Sequence, residues 1–165
     1  MPLDGTSFFA TFKGKDIEIR NYVYGVQTTR GIANGSDNYP VRSIQDHNYK
    51  LIWNLNYKEE FLSSGSKHGS KLYESWFNET EVSNDNITHA TLYRNRPEFE
   101  LYDIKNDGFE MKNLIDNKSL TKTKDKLFTE LKIWMNEQGD KGIETEWKAL
   151  TRFKGDTTNW KKGGD

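Results

Sequence analysis

The sequence predicts an α+β fold, a small antiparallel sheet with a long C-terminal helix packed on one face. Three observations predict it. Tyr49, Leu51, Trp53, Leu55 and Tyr57 alternate with Lys50, Ile52, Asn54 and Asn56 at the period of a half-buried strand. Asp46-His47-Asn48 offers the turn that folds this strand back onto residues 40–46 as a hairpin. Over residues 119–138, Leu120, Leu127, Phe128, Leu131, Trp134 and Met135 trace one helical stripe against a face of Lys, Thr and Glu.

The remaining elements follow in chain order. Residues 2–15 set Leu3, Phe8, Phe9 and Phe12 between Gly5 and Gly14, which reads as a short helical turn between loops. Residues 20–27 are aromatic and β-branched and read as a strand. Gly31, Asn34-Gly35 and Ser36-Asp37 make the next stretch, 28–38, a loop, because these residues tolerate positive φ or bond their own backbone. Pro40 suits the first residue of the following strand, where a missing N–H costs least. Between 58 and 97, Leu72, Tyr73, Trp76 and Phe77, then Ile87, His89 or Ala90, and Tyr93, recur at helical spacing and predict two short helices, the second ended by Pro97. Phe99–Ile104 reads as a further strand, left through a turn at Asn106-Asp107-Gly108. For the long helix, Ser119 is the expected N-cap and Gly139 the expected stop. Its apolar stripe should cover the sheet face bearing Trp53 and Leu101. Beyond Gly142 the tail carries Trp147, Leu150, Phe153 and Trp160 among charges and should pack only in part.

Composition narrows the class. A chain of 165 residues supports one domain, and five Trp, eight Tyr and nine Phe give it an aromatic core. Lys and Arg number 24 against 25 Asp and Glu, with no long same-sign block, so the basic footprint of a nucleic-acid binder is missing. No run of 18 apolar residues marks a membrane span, and the opening residues lack the basic and apolar regions of a signal peptide. With no Cys there is no disulfide framework and no thiol nucleophile.

The candidate chemistry is sparse. No Gly-x-Ser-x-Gly elbow activates a serine, and His47, His68 and His89 lack the spacing that places two imidazoles on one helical face. Asp103–Gly108 imitates the start of a calcium loop, but Lys105 replaces one ligand and Leu114 stands where a bidentate carboxylate is needed, so the stretch reads as a turn. Tyr49, Leu51 and Trp53 read as core rather than a sugar-stacking platform, given their alternation. Thr28, Thr29 and Arg30 are different. They precede Gly31 in the flexible loop, where Arg30 reads either as a solvated loop arginine or as a planar guanidinium suited to a pair of sulfate or carboxylate oxygens.

Three stretches together carry a family resemblance. They are Leu3-Asp-Gly-Thr-Ser-Phe with Phe12-Lys-Gly-Lys15, then Tyr39-Pro-Val-Arg-Ser-Ile with Tyr49-Lys-Leu-Ile-Trp-Asn-Leu-Asn, and lastly Phe99-Glu-Leu-Tyr-Asp-Ile-Lys-Asn-Asp with Glu110, Asn113-Leu114 and Trp134-Met-Asn-Glu-Gln-Gly-Asp140. In this order they resemble the C-terminal region of type I sulfatases, on the side of the heparan N-sulfatases and their bacterial relatives. The resemblance implies the end of the large sulfatase domain and a linker at 1–15, the C-terminal subdomain at 16–153 and a flexible tail at 154–165. It implies a sulfatase catalytic domain as partner, with calcium and a formylglycine residue in that domain and no cofactor in this chain. The formylglycine motif Cys/Ser-x-Pro-x-Arg is missing: Pro40-Val41-Arg42 is preceded by Asn38 in the nucleophile's place. The chain is therefore expected to be inactive alone, with Thr28, Thr29 and Arg30 at the rim of a substrate pocket for sulfated glycans. The alternative is a free-standing module that binds sulfated glycans. Neither nucleic acid nor membrane is an expected partner, and full-length members are secreted, periplasmic or lysosomal.

Overall fold

The computed structural model describes residues 7–15, 20–28, 39–61, 71, 75 and 91–148. After a short helix α1 (Phe9–Phe12) come four strands, β1 (Val23–Gln27), β2 (Val41–Gln45), β3 (Tyr49–Asn54) and β4 (Phe99–Asp103). They form one antiparallel sheet in the order β1-β2-β3-β4, followed by a 3-10 turn (Lys118–Leu120), the long helix α2 (Thr121–Glu137) and a short helix α3 (Ile143–Trp147). The α+β class and the long helix expected from the sequence are both present.

The hairpin forms as its turn residues dictate. The Asp46 carboxylate accepts the backbone N–H groups of Asn48 at 2.8 Å and Tyr49 at 2.7 Å, fixing a register that sets Ile44 against Leu51. β3 is shorter than its alternation predicts, ending at Asn54 rather than continuing to Tyr57. The reason lies across the ladder. Leu55 donates to the Pro40 carbonyl at 3.1 Å, but Pro40 has no N–H to return, so pairing stops there and residues 55–58 turn away. β1 likewise begins at Val23 rather than residue 20, and β4 ends at Asp103.

One sheet face packs on α2. Ile44, Leu51, Leu101, Leu127, Leu131 and Met135 form the buried centre, with Tyr24, Trp53, Phe99, Phe128 and Trp134 around it. The aromatic share expected from composition is placed here. Tyr24 stacks on Trp134 with centroids 4.6 Å apart, while Trp53 and Phe99 both meet the Phe128 ring edge-on at 5.1 and 5.0 Å. Such pairs add about 0.5–1.5 kcal/mol each beyond the area they bury.

The start of α2 differs from expectation. Asn117 rather than Ser119 caps the entry, its side chain accepting the Ser119 N–H at 3.0 Å and the Ser119 hydroxyl at 2.8 Å. Asx geometry tightens residues 118–120 into a 3-10 turn before the α-helix begins at Thr121. The end is as read, with Gly139 at φ 67°. Gly139 donates to the Asn136 carbonyl and Asp140 to the Met135 carbonyl, the two bonds of a Schellman motif.

The opposite sheet face carries a second cluster, Tyr39, Val41 and Phe61 with Ile52 and Tyr93. Most of the two helices expected between 58 and 97 lie outside the described residues, although residues 91–94 are helical. No described helix is long and apolar enough to cross a membrane.

Candidate functional site

The strongest polar constellation lies where the end of β1, the start of β2 and the α2–α3 turn converge. Arg42 shares strand parity with Ile44, so its side chain enters the face covered by α2, where it is 1% exposed. The Schellman turn delivers Asp140 to this point. Gly142, at φ 66° and ψ −126°, redirects the chain so that α3 presents Glu146 beside Asp140.

Every N–H of the guanidinium has an acceptor. Nε donates to Asp140 Oδ2 at 2.5 Å, and Nη2 donates to Glu146 Oε1 at 2.7 Å and Asp140 Oδ1 at 3.3 Å. Nη1 donates to the backbone carbonyls of Gln27 at 3.2 Å and Val41 at 3.1 Å. The second negative charge is offset by two further donors. The Gly142 N–H reaches Asp140 Oδ1 at 2.8 Å, and the Thr28 hydroxyl reaches Glu146 Oε2 at 2.5 Å. Burial opposes charge on Asp140, but the hydrogen bonds from Arg42 and Gly142 outweigh it and hold the carboxyl below its ordinary pKa. Burial likewise works against the Arg42 cation, and its two carboxylates more than compensate, raising its pKa.

A guanidinium so fully matched has no N–H left for a sulfate oxygen. Arg42 is thus a clamp: it ties the last carbonyl of β1, and through Glu146 the Thr28 hydroxyl, to the helical layer. Of the three residues read as a substrate rim, Thr28 is exposed and anchored by this clamp, while Thr29 and Arg30 lie outside the described residues. Arg42, Asp140 and Glu146 were not singled out in the sequence. The signal was available for Arg42, which falls on the inward parity of a strand whose partner position, Ile44, is core.

A second buried polar group occupies the other face. Asn54 Nδ2 donates to Glu100 Oε1 and to the Pro97 carbonyl, both at 2.7 Å, and the Tyr102 hydroxyl donates to Glu100 Oε2 at 2.5 Å. Burial, then the bond to Glu100, raises the Tyr102 pKa and keeps it a donor. Lys50 pairs with Glu110 beside it at 2.8 Å. Asp103–Gly108 is the turn read from the sequence, with Asp103 bonding Asn106 and Asp107 accepting the Lys112 N–H. Among the described residues no three His, Cys, Asp or Glu side chains gather as a metal would require.

No family model matches the chain. It is 36% identical over 149 residues to the ulvan-active sulfatase of Formosa agariphila, across 84% of this chain and 25% of that protein. It is 29% identical over 104 residues to human N-sulphoglucosamine sulphohydrolase, across 62% of this chain and 21% of that protein. A crystal structure from Bacteroides thetaiotaomicron reported under the name sulfatase superposes with a TM-score of 0.52 at 19% identity, covering 85% of this chain and 22% of that one. At that identity the superposition speaks for the fold. The chain spans about a quarter of the length of the curated relatives it matches.

Proposed function

Because this chain belongs to the sulfatase family and matches a C-terminal part of it, we propose that it is the non-catalytic C-terminal subdomain of a hydrolase acting on sulfated glycans. Its role is to brace the catalytic domain and to form part of the pocket rim. The Arg42 clamp carries this reading. It fixes the exit of β1 through Gln27 and Thr28, so the residues that follow leave a rigid frame toward whatever they contact. A rim needs such a frame, because a loosely held loop cannot orient a guanidinium against a sulfate. The formylglycine motif and its calcium ion belong, in this proposal, to the catalytic domain, since Asn38 stands two residues before Pro40 where the motif needs Cys or Ser.

Two measurements test it. Incubated alone with an N-sulfated or O-sulfated oligosaccharide, the chain should release no sulfate by ion chromatography; release would refute the non-catalytic assignment. Joined to a catalytic domain bearing Cys/Ser-x-Pro-x-Arg, Arg30→Ala should raise KM for a sulfated oligosaccharide severalfold while leaving turnover of a small aryl sulfate unchanged. An equal effect on both substrates would remove the rim role.

A further inference from the structure

The entry to α2 breaks a local rule. A helix N-terminus carries partial positive charge and favours Asp or Glu, yet the first turn of α2 holds none and instead reads Thr121-Lys122-Thr123-Lys124. Lys118 precedes it and Lys126 follows. Residues 118–128 thus hold four Lys (118, 122, 124, 126) against one acid, Asp125, a local charge of +3 in a chain whose net charge is −1.

Among the described residues these cations have no acidic partner. Lys50, Arg94 and Lys148 each pair with a carboxylate, but none of the four lysines forms an ion pair among the described residues. Lys118, Lys122 and Lys126 are exposed and four residues apart, which puts like charges side by side along one line of the surface. Within the α-helix that spacing is about 6 Å, from a rise of about 1.5 Å per residue. Aromatic rings flank the line. Lys126 lies over the Tyr22 ring at 5.9 Å and Lys124 over the Phe99 ring at 5.1 Å.

A repulsive, dipole-opposed stripe is an arrangement that a polyanion would relieve. We propose that the lysine stripe opening α2 is a binding surface for a linear sulfated polysaccharide, separate from the pocket rim. The choice of polymer rests on the sulfatase reading above and on two features of the patch. Three or four cations in a neutral chain fall short of the domain-wide basic surface that nucleic-acid binders present. The exposed side of the stripe carries Thr121, Asp125 and Thr129 rather than the large apolar residues that seat a helix in a membrane surface. A surface of this kind would hold a long chain while its sulfated units are processed one after another.

The test is binding of the 165-residue chain to heparin, with dextran as the neutral control. Lys118→Glu/Lys122→Glu/Lys126→Glu should lower heparin affinity at least tenfold and flatten its salt dependence, whereas Lys105→Glu, in the turn after β4 and outside the stripe, should leave it unchanged. The triple variant puts acids at the helix start, where they complement the dipole, so its helical circular-dichroism signal and Tm should be retained; weaker binding by a protein that melts no earlier cannot be a folding defect. Undiminished heparin affinity in the triple variant would overturn the proposal. So would equal affinity for duplex DNA or for vesicles rich in anionic lipid, because the surface would then not select sulfated polysaccharide. Binding is read here without catalysis, so failure of the rim reading would leave these results standing.

Discussion

Arg42 sets the residue-scale energetics, because two carboxylates depend on one cation in a site that water barely reaches. Arg42→Met should destabilise the fold by about 3–5 kcal/mol in urea denaturation, the usual cost of leaving buried charge unpaired. Arg42→Lys should recover little of this, since an ammonium cannot span Asp140, Glu146 and the Gln27 carbonyl at once. Neutralising all three together, as Arg42→Met/Asp140→Asn/Glu146→Gln, should recover more than half. The site also sets a pH window. Asp140 is depressed when folded, so its contribution is complete above the unfolded carboxylate value of about 3.9 and is lost as pH falls through the lower folded value. Asp140→Asn should therefore flatten the acid limb of the stability curve, as read by Tm between about pH 5 and pH 2. At the alkaline end the sign reverses. Burial pushes the Tyr39 hydroxyl up to about 12, and proton-bound Tyr39 stabilises the fold below its unfolded value of about 10 and loses that contribution as pH rises through 12.

At the scale of elements, two glycines near the end of α2 differ in what they do. Gly139 ends the helix in open space, so Gly139→Ala should cost about 1 kcal/mol for its positive φ alone. Gly142 sits at a φ and ψ that side chains rarely adopt, and an added Cβ would lie 3.4 Å from Leu55 Cδ2. Gly142→Ala should cost about 1–3 kcal/mol and, by turning α3, also loosen Glu146 from Arg42. The contrast between these two variants in chemical denaturation tests whether Gly142 aims α3. Legibility followed the same division. Alternation at Tyr49, Leu51 and Trp53 and the stripe from Leu127 to Met135 were readable because periodicity reports which face is buried. The end of β3 was not, because it depends on Pro40 lying opposite Leu55, a matter of register. The cap was misread by two residues because Asn117 and Ser119 are both good caps and only geometry ranks them. The clamp was hidden for a stronger reason: Arg42 and Asp140 are 98 residues apart in sequence, and no local pattern joins them.

For the molecule as a whole, the uncovered apolar surface is the property that matters in solution. Phe8, Phe9 and Phe12 are 58%, 61% and 78% exposed, and Phe109, Met111 and Trp147 add to them. Apolar groups left open in this number favour association. Sedimentation velocity over a concentration series should show reversible self-association of the chain, reduced by Phe9→Ser/Phe12→Ser. A catalytic domain that covers the same surface should suppress it.

The clamp also fixes when the fold can be finished. Its contacts bridge sequence separations of 98, 104 and 118 residues, from Arg42 to Asp140 and Glu146 and from Thr28 to Glu146. A ribosome adding roughly 5–20 residues per second needs several seconds to pass from Arg42 to Glu146. Throughout that interval all four strands can be synthesised while the guanidinium still lacks its counter-charges. The clamp can therefore close only once α2 and α3 have emerged, and until then the buried guanidinium of β2 has no carboxylate to meet.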